Sequence, residues 1–194
     1  ITADYFNRRT EDLLVQPQVS GLLGVSAPGA AAPFVNAGTV ENKGLEFAIG
    51  YNDRIGDNFK FKINYNITAI ENNVLSVSGG NSFLTAGGFG NASVPIARME
   101  VGHSIGYFRG YKTDGLFQTQ DEIDNHATMD NATFYPGDIK FVDINNDGKI
   151  DEDDKVEIGK PLPDLTMGLN LTFSYKKFDF GAYAFASLGN DIVR

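Results

Sequence analysis

A strict alternation of apolar and polar residues is the feature that most constrains how this chain can fold. From Phe59 the sequence reads FKFKINYNIT, with Phe, Ile or Tyr at every second position and Lys, Asn or Thr between them. Successive side chains of a β-strand point to opposite faces, so this pattern predicts a strand with one apolar and one polar face. The stretches LEFAIGYN from Leu45 and LTMGLNLTFSY from Leu165 alternate in the same way.

Short polar segments separate these predicted strands. Residues 53–58 lead into the strand at Phe59, and residues 176–177 (Lys-Lys) lead into a returning strand over 178–188. Two antiparallel hairpins are therefore predicted. Their strands of about ten residues exceed the usual soluble length of about 5–6 residues and match the length that a tilted strand needs to cross a bilayer.

The segments between the hairpins are long and lack a period. Residues 16–36 are rich in Gly, Ala, Pro and Ser, and residues 76–164 separate an outgoing strand from a returning one. Structureless connections of this length are uncommon in compact soluble domains. Short turns at one end and long loops at the other are ordinary in a transmembrane β-barrel, so the sequence favours an all-β barrel segment. On alternation alone, a soluble β-sandwich with one wet face is an equal alternative.

Composition and charge exclude several classes of protein. The chain of 194 residues has no Cys, which excludes a disulfide scaffold, a thiolate zinc site and a cysteine nucleophile. No apolar run is long enough for a transmembrane helix, and no signal peptide is visible. The formal net charge is −9, and residues 114–157 alone hold 13 acidic and 3 basic residues. Without a basic patch, nucleic-acid binding is not expected.

The sharpest chemical motif is DINNDGKIDEDD, residues 143–154. Calcium binds six to eight hard oxygen atoms from a tightly turned loop, and this spacing matches positions 1, 3, 5, 7, 9 and 12 of such a loop. The predicted ligands are Asp143, Asn145, Asp147, the carbonyl of Lys149, Asp151 and Asp154. An acidic, solvated turn without metal is the alternative. No amphipathic helices flank the loop, so it would stiffen the chain rather than act as an EF-hand sensor.

Aromatic residues cluster in GYFRGYKTDGLFQ, where Tyr107, Tyr111 and Phe117 are candidate contacts to a substrate or a partner protein. A small core beneath the long loop is the alternative. His103 and His126 lack metal-ligand spacing, and no nucleophile elbow or phosphate-binding loop is present. The sequence therefore predicts no catalytic site. A hydrolase using the acidic residues of 114–157 is a weaker alternative.

Four segments, in order along the chain, resemble the C-terminal part of the SusC/RagA-type TonB-dependent outer-membrane transporters of Bacteroidetes. They are DYFNRRTEDLL near the start, NAGTVENKGLEF from Asn36, GYKTDGLFQ from Gly110, and PGDIKFVDINNDGKID from Pro136, which is followed by IGKPLPDLTMGLNLTFSYKKFDF. The matches span nearly the whole chain. Each is weak alone, and the four in order are specific.

This resemblance implies a fragment of a barrel of about 22 strands that lies in the outer membrane and contacts its lipid. Residues 16–36 and 76–164 would be extracellular loops, and residues 53–58 and 176–177 periplasmic turns. The implied partners are a SusD-like surface lipoprotein, the TonB complex through parts outside this chain, and a glycan or peptide substrate. A secreted, calcium-stabilised β-rich module that binds glycan is the alternative function.

Overall fold

The computed structural model describes residues 1–15, 35–36, 38–77, 82–85 and 95–193. Within these ranges most residues lie in antiparallel strands, with one short helix and one 3₁₀ turn. The elements are β1 (Thr2–Thr10), β2 (Leu14–Val15), β3 (Val35–Asn36), β4 (Thr39–Ile55), β5 (Phe59–Ser76), β6 (Phe83–Thr85), β7 (Ala97–Glu100), β8 (Tyr107–Tyr111), β9 (Thr113–Leu116), α1 (Gln120–Asp124), β10 (Ile139–Phe141), a 3₁₀ turn (Glu152–Asp154), β11 (Lys155–Gly159), β12 (Leu165–Tyr175) and β13 (Phe178–Leu188). No helix in the described ranges is long and apolar enough to span a membrane.

The main sheet has five strands in the order β1-β4-β5-β12-β13, and every neighbouring pair is antiparallel. The sheet does not close on itself. The register sets Leu45 opposite Ala69, Ala69 opposite Leu165, and Leu165 opposite Leu188. Because directly opposed residues share a face, the alternation of each strand lines up with that of the next across the sheet.

Two short connections lie together at one end of this sheet, called here the turn end. Ile55 pairs with Phe59 and Tyr175 pairs with Phe178, so three residues close the first hairpin and two close the second. The Lys176 amide donates to the Asn58 carbonyl at 2.8 Å, which ties the two turns to each other. The first turn is shorter than the predicted 53–58 because β4 continues in register to Ile55.

Smaller sheets lie at the opposite, loop end. A four-stranded sheet has the order β11-β8-β7-β6, and β9 pairs with β10 in a second sheet. The segment 76–164 therefore has strands of its own, which satisfy backbone groups that a structureless loop of this length would leave to water. Most of residues 16–36 lie outside the described residues, and β2 and β3 pair where that segment leaves and rejoins the described chain.

The core of buried apolar residues sits where the main sheet meets the loop sheets. Val40, Val74 and Met99 are almost fully buried there, and Leu13, Val77, Leu84 and Ile105 pack around them. Backbone hydrogen bonds reinforce the junction, because the Val74 amide donates to the His103 carbonyl and the Gly102 amide donates to the Val74 carbonyl. The apolar core thus fixes the loop sheets to the ends of β4 and β5. Among the described residues, no core of buried apolar side chains lies in the turn half of the main sheet.

Candidate functional site

One face of the main sheet is apolar and uncovered. It carries the alternating apolar residues of β4, β5, β12 and β13. Several of its large side chains are strongly exposed, including Leu45, Tyr51, Tyr175, Phe178 and Phe180 at 52–79%. A continuous apolar face spread over four long strands is far more than the scattered exposed apolar residues of a soluble surface. Such a face needs a partner, either lipid or protein.

Aromatic rings gather on this face near the turn end. The ring of Phe59 lies 6.0 Å from that of Phe61 and 6.2 Å from that of Phe173, and Phe173 lies 6.2 Å from Phe180. Tyr51 adds a tilted contact with Phe61 at 5.7 Å. The stack crosses four neighbouring strands, so it forms a band across the sheet. Bands of this kind occur at the interfaces where transmembrane barrels enter and leave the bilayer.

The other face of the same sheet is mostly polar. Along β5 it presents Lys60, Lys62, Asn64, Asn66 and Thr68, and the residues opposite them on β12 are Ser174, Thr172, Asn170, Gly168 and Thr166. Three aromatic residues depart from this pattern. Phe6 lies opposite Gly44, where the glycine leaves room for its ring, Phe185 lies opposite Gly168, and Tyr183 lies opposite Asn170.

An asparagine on this polar side joins the sheet to the loop end. Asn72 donates to the Asn42 side chain at 2.7 Å, and its own side-chain oxygen accepts from the Ile105 amide at 2.8 Å and the Ser104 hydroxyl at 3.2 Å. Sequence reasoning missed this role. The sequence shows an Asn-Asn pair at 72–73, but this pair does not predict the contact between Asn72 and Ile105, which lie 33 residues apart.

The three candidate aromatic contacts are dispersed within the loop sheets. Tyr107 is 2% exposed, stacks on His103 with ring centres 4.3 Å apart, and donates to Glu100 at 2.5 Å. Burial, together with this hydrogen bond, raises the pKa of Tyr107 to about 12. Tyr107 therefore stays protonated and packs as a core residue of the loop sheets.

Phe117 and Tyr111 occupy separate places. Phe117 is 1% exposed and packs against His126 and Phe134. Tyr111 is half-buried between Phe141 and the Lys155 ammonium, which lies 5.0 Å from its ring centre. Tyr107 and Phe117 are buried, as is expected of residues in a small core beneath the loop, which is the alternative interpretation of these aromatic residues. A contact role for the three residues stays a prediction.

The acidic loop 143–154 is ordered by hydrogen bonds between its own side chains and backbone. Asp143 accepts from the amides of Asp147 at 3.2 Å and Gly148 at 2.8 Å, and Asn145 accepts from Asp147 at 3.0 Å. Asp147 accepts from Lys149 at 2.9 Å. Gly148 has a φ of +86°, a backbone conformation that glycine adopts without strain and that the tight turn requires.

Asp154 closes this loop from within. Its side chain is fully buried, and its two oxygens accept from the Ile144 and Asp151 amides, each at 2.8 Å. The hydrogen bond from Asp151 is the main cause that holds the pKa of Asp154 below its usual value, and the Ile144 amide adds to it. Asp151 in turn accepts from the Asp153 amide at 2.9 Å, and the side chains of Asp151 and Asp154 each accept from the other's backbone amide in a capping box.

The predicted calcium ligands therefore share one compact loop, and carboxylate, amide and carbonyl oxygens are the donors that calcium prefers. Within the described ranges, no three His, Asp or Glu side chains are gathered closely enough to hold a metal ion. The carboxylates instead accept from the backbone, and each oxygen keeps further lone pairs. Calcium binding by residues 143–154 stays a prediction.

No protein-family model matches the chain. Among curated proteins it is 34% identical, over 97% of its length, to TonB-dependent receptor P26 of Formosa agariphila. It is 32% identical, over 96% of its length, to the TonB-dependent receptor SusC of Bacteroides thetaiotaomicron. The chain spans only 18% and 17% of these two relatives. The similarity is therefore continuous along this chain but covers about a fifth of a receptor.

Solved structures share the fold. The chain superposes on a chain of the RagAB peptide importer in its closed-closed state with a TM-score of 0.67 and 15% identity, covering 97% of this chain and 19% of that one. The open-open state gives the same TM-score at 14% identity. The chain thus shares the fold of about one fifth of those chains. From its sequence similarity and its fold together, the chain belongs to the SusC/RagA-type TonB-dependent receptors of Bacteroidetes, of which it represents about one fifth.

Proposed function

We propose that this chain forms part of the barrel wall of an outer-membrane importer. The observation that carries the proposal is the two-faced main sheet, in which strands of 11–18 residues expose a continuous apolar face on one side and a polar face on the other. A membrane-spanning sheet needs two such faces, because its apolar face contacts lipid and its polar face lines the lumen. The uncovered edges of β1 and β13 would pair with further strands of the same receptor.

In this proposal the receptor is a transporter and not an enzyme. Its energy would come from the TonB complex, through parts of the receptor outside these residues. The substrate would be a glycan or a peptide that passes through the lumen, with a SusD-like surface lipoprotein as a lid over the loop end. The similarity to SusC and to the RagAB peptide importer supports this assignment. Residues 53–58 and 176–177 would then face the periplasm, and 16–36 and 76–164 the outside.

The loop 143–154 would stiffen the extracellular segment, with calcium held by its side-chain and carbonyl oxygens. Support comes from the matching donor set and from the position of the loop immediately before β11, which pairs with β8 in the loop sheet. The Arg109 guanidinium donates to the Glu152 side chain at 3.1 Å and thereby connects this loop to β8. A stiffened loop would hold β8 and β11 in register beneath the lipoprotein.

The test is the intact mass and location of the native chain that contains these residues. We expect a protein roughly five times the 21.1 kDa of this chain, in the outer-membrane fraction and extracted only with detergent. It should co-purify with a lipoprotein of SusD type, and its deletion should abolish growth on one class of glycan or peptide. A soluble protein near 21.1 kDa would refute the barrel and favour the secreted glycan-binding module.

A further inference from the structure

Two aromatic rings lie on the polar face of the main sheet, where the alternation predicts polar side chains. Tyr183 is 71% exposed and Phe185 is 63% exposed. They are two residues apart on β13, so about 6–7 Å separates them along the strand and both side chains point to the same side. Among the described residues, neither ring contacts another ring or forms a hydrogen bond. Neighbouring exposed rings on a hydrophilic face indicate a binding surface rather than a core.

Both rings belong to a part of this face that carries no charge. Two rows of directly opposed residues cross β13, β12, β5 and β4 at this level. They are Tyr183, Asn170, Asn64 and Gly50, and Phe185, Gly168, Asn66 and Ala48. The next rows contain Lys62 toward the turn end and Glu46 toward the loop end. We call the residues of the two uncharged rows the neutral patch.

The asparagines of the neutral patch present unpaired amide groups. The side chains of Asn64, Asn66 and Asn170 form no hydrogen bond with another described residue. A Cβ atom built on Gly168 would lie 2.5 Å from the side-chain oxygen of Asn66, and one built on Gly50 would lie 3.1 Å from that of Asn64. The glycines therefore let these amides lie close to the neighbouring strands, beside the larger rings. Each amide can donate two hydrogen bonds and accept two more.

A carbohydrate has the chemistry that matches this surface. The face of a pyranose ring is formed by C–H groups that pack on an aromatic ring, and its edge carries hydroxyl groups that exchange hydrogen bonds with amides. A peptide would bring charged termini, and an acidic glycan would bring carboxylates or sulfates. No group of the neutral patch has a charge to pair with them, and burying unpaired charge is costly. The patch therefore favours an uncharged sugar.

We propose that the neutral patch binds neutral oligosaccharides, with Tyr183 and Phe185 stacking on sugar rings and the three asparagine amides bonding to sugar hydroxyls. The inference rests on the proposed function, in which this face lines the lumen. It narrows the imported substrate from a glycan or a peptide to an uncharged glycan.

The first experiment measures binding of the intact, detergent-extracted receptor to an array. The array carries neutral oligomers of glucose, mannose, galactose, xylose and fructose, oligomers bearing uronate or sulfate, and a set of peptides. We expect binding to at least one neutral oligomer. Hydroxyl-radical footprinting by mass spectrometry should then show that this oligomer lowers the oxidation of Tyr183 and Phe185. Tyr135, which is 64% exposed and lies outside the main sheet, serves as the reference ring.

Paired variants separate stacking from packing. Y183A/F185A removes both rings and should weaken binding of the neutral oligomer by roughly tenfold or more. Y183F/F185Y changes the same two positions but keeps both rings, so it should bind nearly as tightly as the unmodified receptor. The footprint of the unmodified receptor decides the question even where a variant fails to fold.

Three results would overturn the inference. The receptor binds only acidic glycans or peptides, or nothing on the array; both rings resist oxidation without ligand, because another polypeptide covers them; or Y183A/F185A folds and binds as tightly as the unmodified receptor. Heat-modifiable migration in SDS gels, scored in parallel, reports a closed barrel. Any of these results with a closed barrel refutes sugar binding alone, whereas absence of a barrel in the unmodified receptor refutes the proposed function.

Discussion

Gly44 shows at the scale of one residue how closely the strands of the main sheet approach. A Cβ atom built on Gly44 would lie 2.1 Å from the Ala69 carbonyl oxygen and 2.7 Å from the Phe6 ring. The carbonyl belongs to the backbone of β5, so it can move only if the β4–β5 pair shifts. The Phe6 ring occupies the space above Gly44, which explains why an aromatic residue is accommodated on the polar face.

We therefore expect Gly44→Ala to destabilise the receptor by about 1–3 kcal/mol, the usual range for overpacking a tight site. Thermal unfolding of the detergent-extracted receptor measures the loss. Gly181→Ala is the matched control, since Gly181 also lies within a strand on the polar face but has no atom of the described residues within 4 Å of its added Cβ. Equal melting temperatures for the two variants would contradict this reading of the strand contact.

The Asp154 carboxylate gives a prediction with a defined pH dependence. Its pKa is lowered by amide hydrogen bonds that exist only in the folded loop, so the stabilisation is present above its ordinary pKa of 3.8 and is lost as the pH falls through the folded value. Asp154→Asn should weaken hydrogen-exchange protection of residues 143–154 at pH 7, with protection factors corrected for intrinsic rates. The difference from the unmodified protein should shrink below pH 4.

Asp153→Asn is the control for this measurement, because Asp153 is exposed and its side chain has no hydrogen-bond partner among the described residues. It should leave protection unchanged at both pH values. A difference between Asp154→Asn and the unmodified protein that is the same at pH 7 and pH 3 would show that the carboxylate charge does not order the loop.

At the scale of a structural element, calcium binding would stiffen the whole loop 143–154. If the predicted ligands hold calcium, the ion should slow protease cleavage within this loop of the full-length receptor, and a chelator should restore the faster rate. Asp143→Ala should abolish the calcium effect, because it removes the first ligand of the motif. Asp130→Ala, an exposed acid outside the motif, should preserve it. Cleavage at the same rate with and without calcium would refute the metal site.

Elements with internal alternation were predictable from the sequence, and elements made by pairing were not. The strand from Phe59, the strand 165–175 and the returning strand 178–188 follow from local pattern, and the structure confirms them. The polar strand β1 has no clear alternation, and it exists because each residue from Thr2 to Thr10 pairs with β4. Pairing with β1 from Val40 and with β5 from Thr39 explains why β4 begins six residues before the alternating stretch.

The loop sheets illustrate the same limit. β8 pairs with β11 across more than forty residues, so no local signal indicates the four-stranded sheet. The acidic motif 143–154 was visible because its chemistry is encoded by spacing within twelve residues. The grouping of Arg54, Lys60 and Lys62 on one face was only partly predictable from the sequence. Lys60 and Lys62 were expected to share a polar face, but Arg54 was assigned to a turn, and only the register of β4 with β5 places it opposite Lys60.

For the whole molecule, the two faces of the main sheet must meet different environments. Two neighbouring residues near the middle of β12 lie on different faces. Leu171 is on the apolar face, opposite Ile63, and Asn170 is on the polar face, opposite Asn64. An Arg on the lipid face of a barrel costs about 2–4 kcal/mol at the bilayer midplane, whereas lumen positions tolerate charge. The same substitution at these two positions therefore tests the orientation of the sheet.

We expect Leu171→Arg to lower the amount of folded, heat-modifiable receptor in the outer membrane, and Asn170→Arg to leave it close to that of the unmodified protein. Both variants add the same side chain one position apart, so expression and net charge are matched. The opposite ranking would place the polar face against lipid and would invalidate the lumen assignment. Equal, small effects would mean that neither face contacts lipid, as expected if the exposed apolar face were covered by another protein in water.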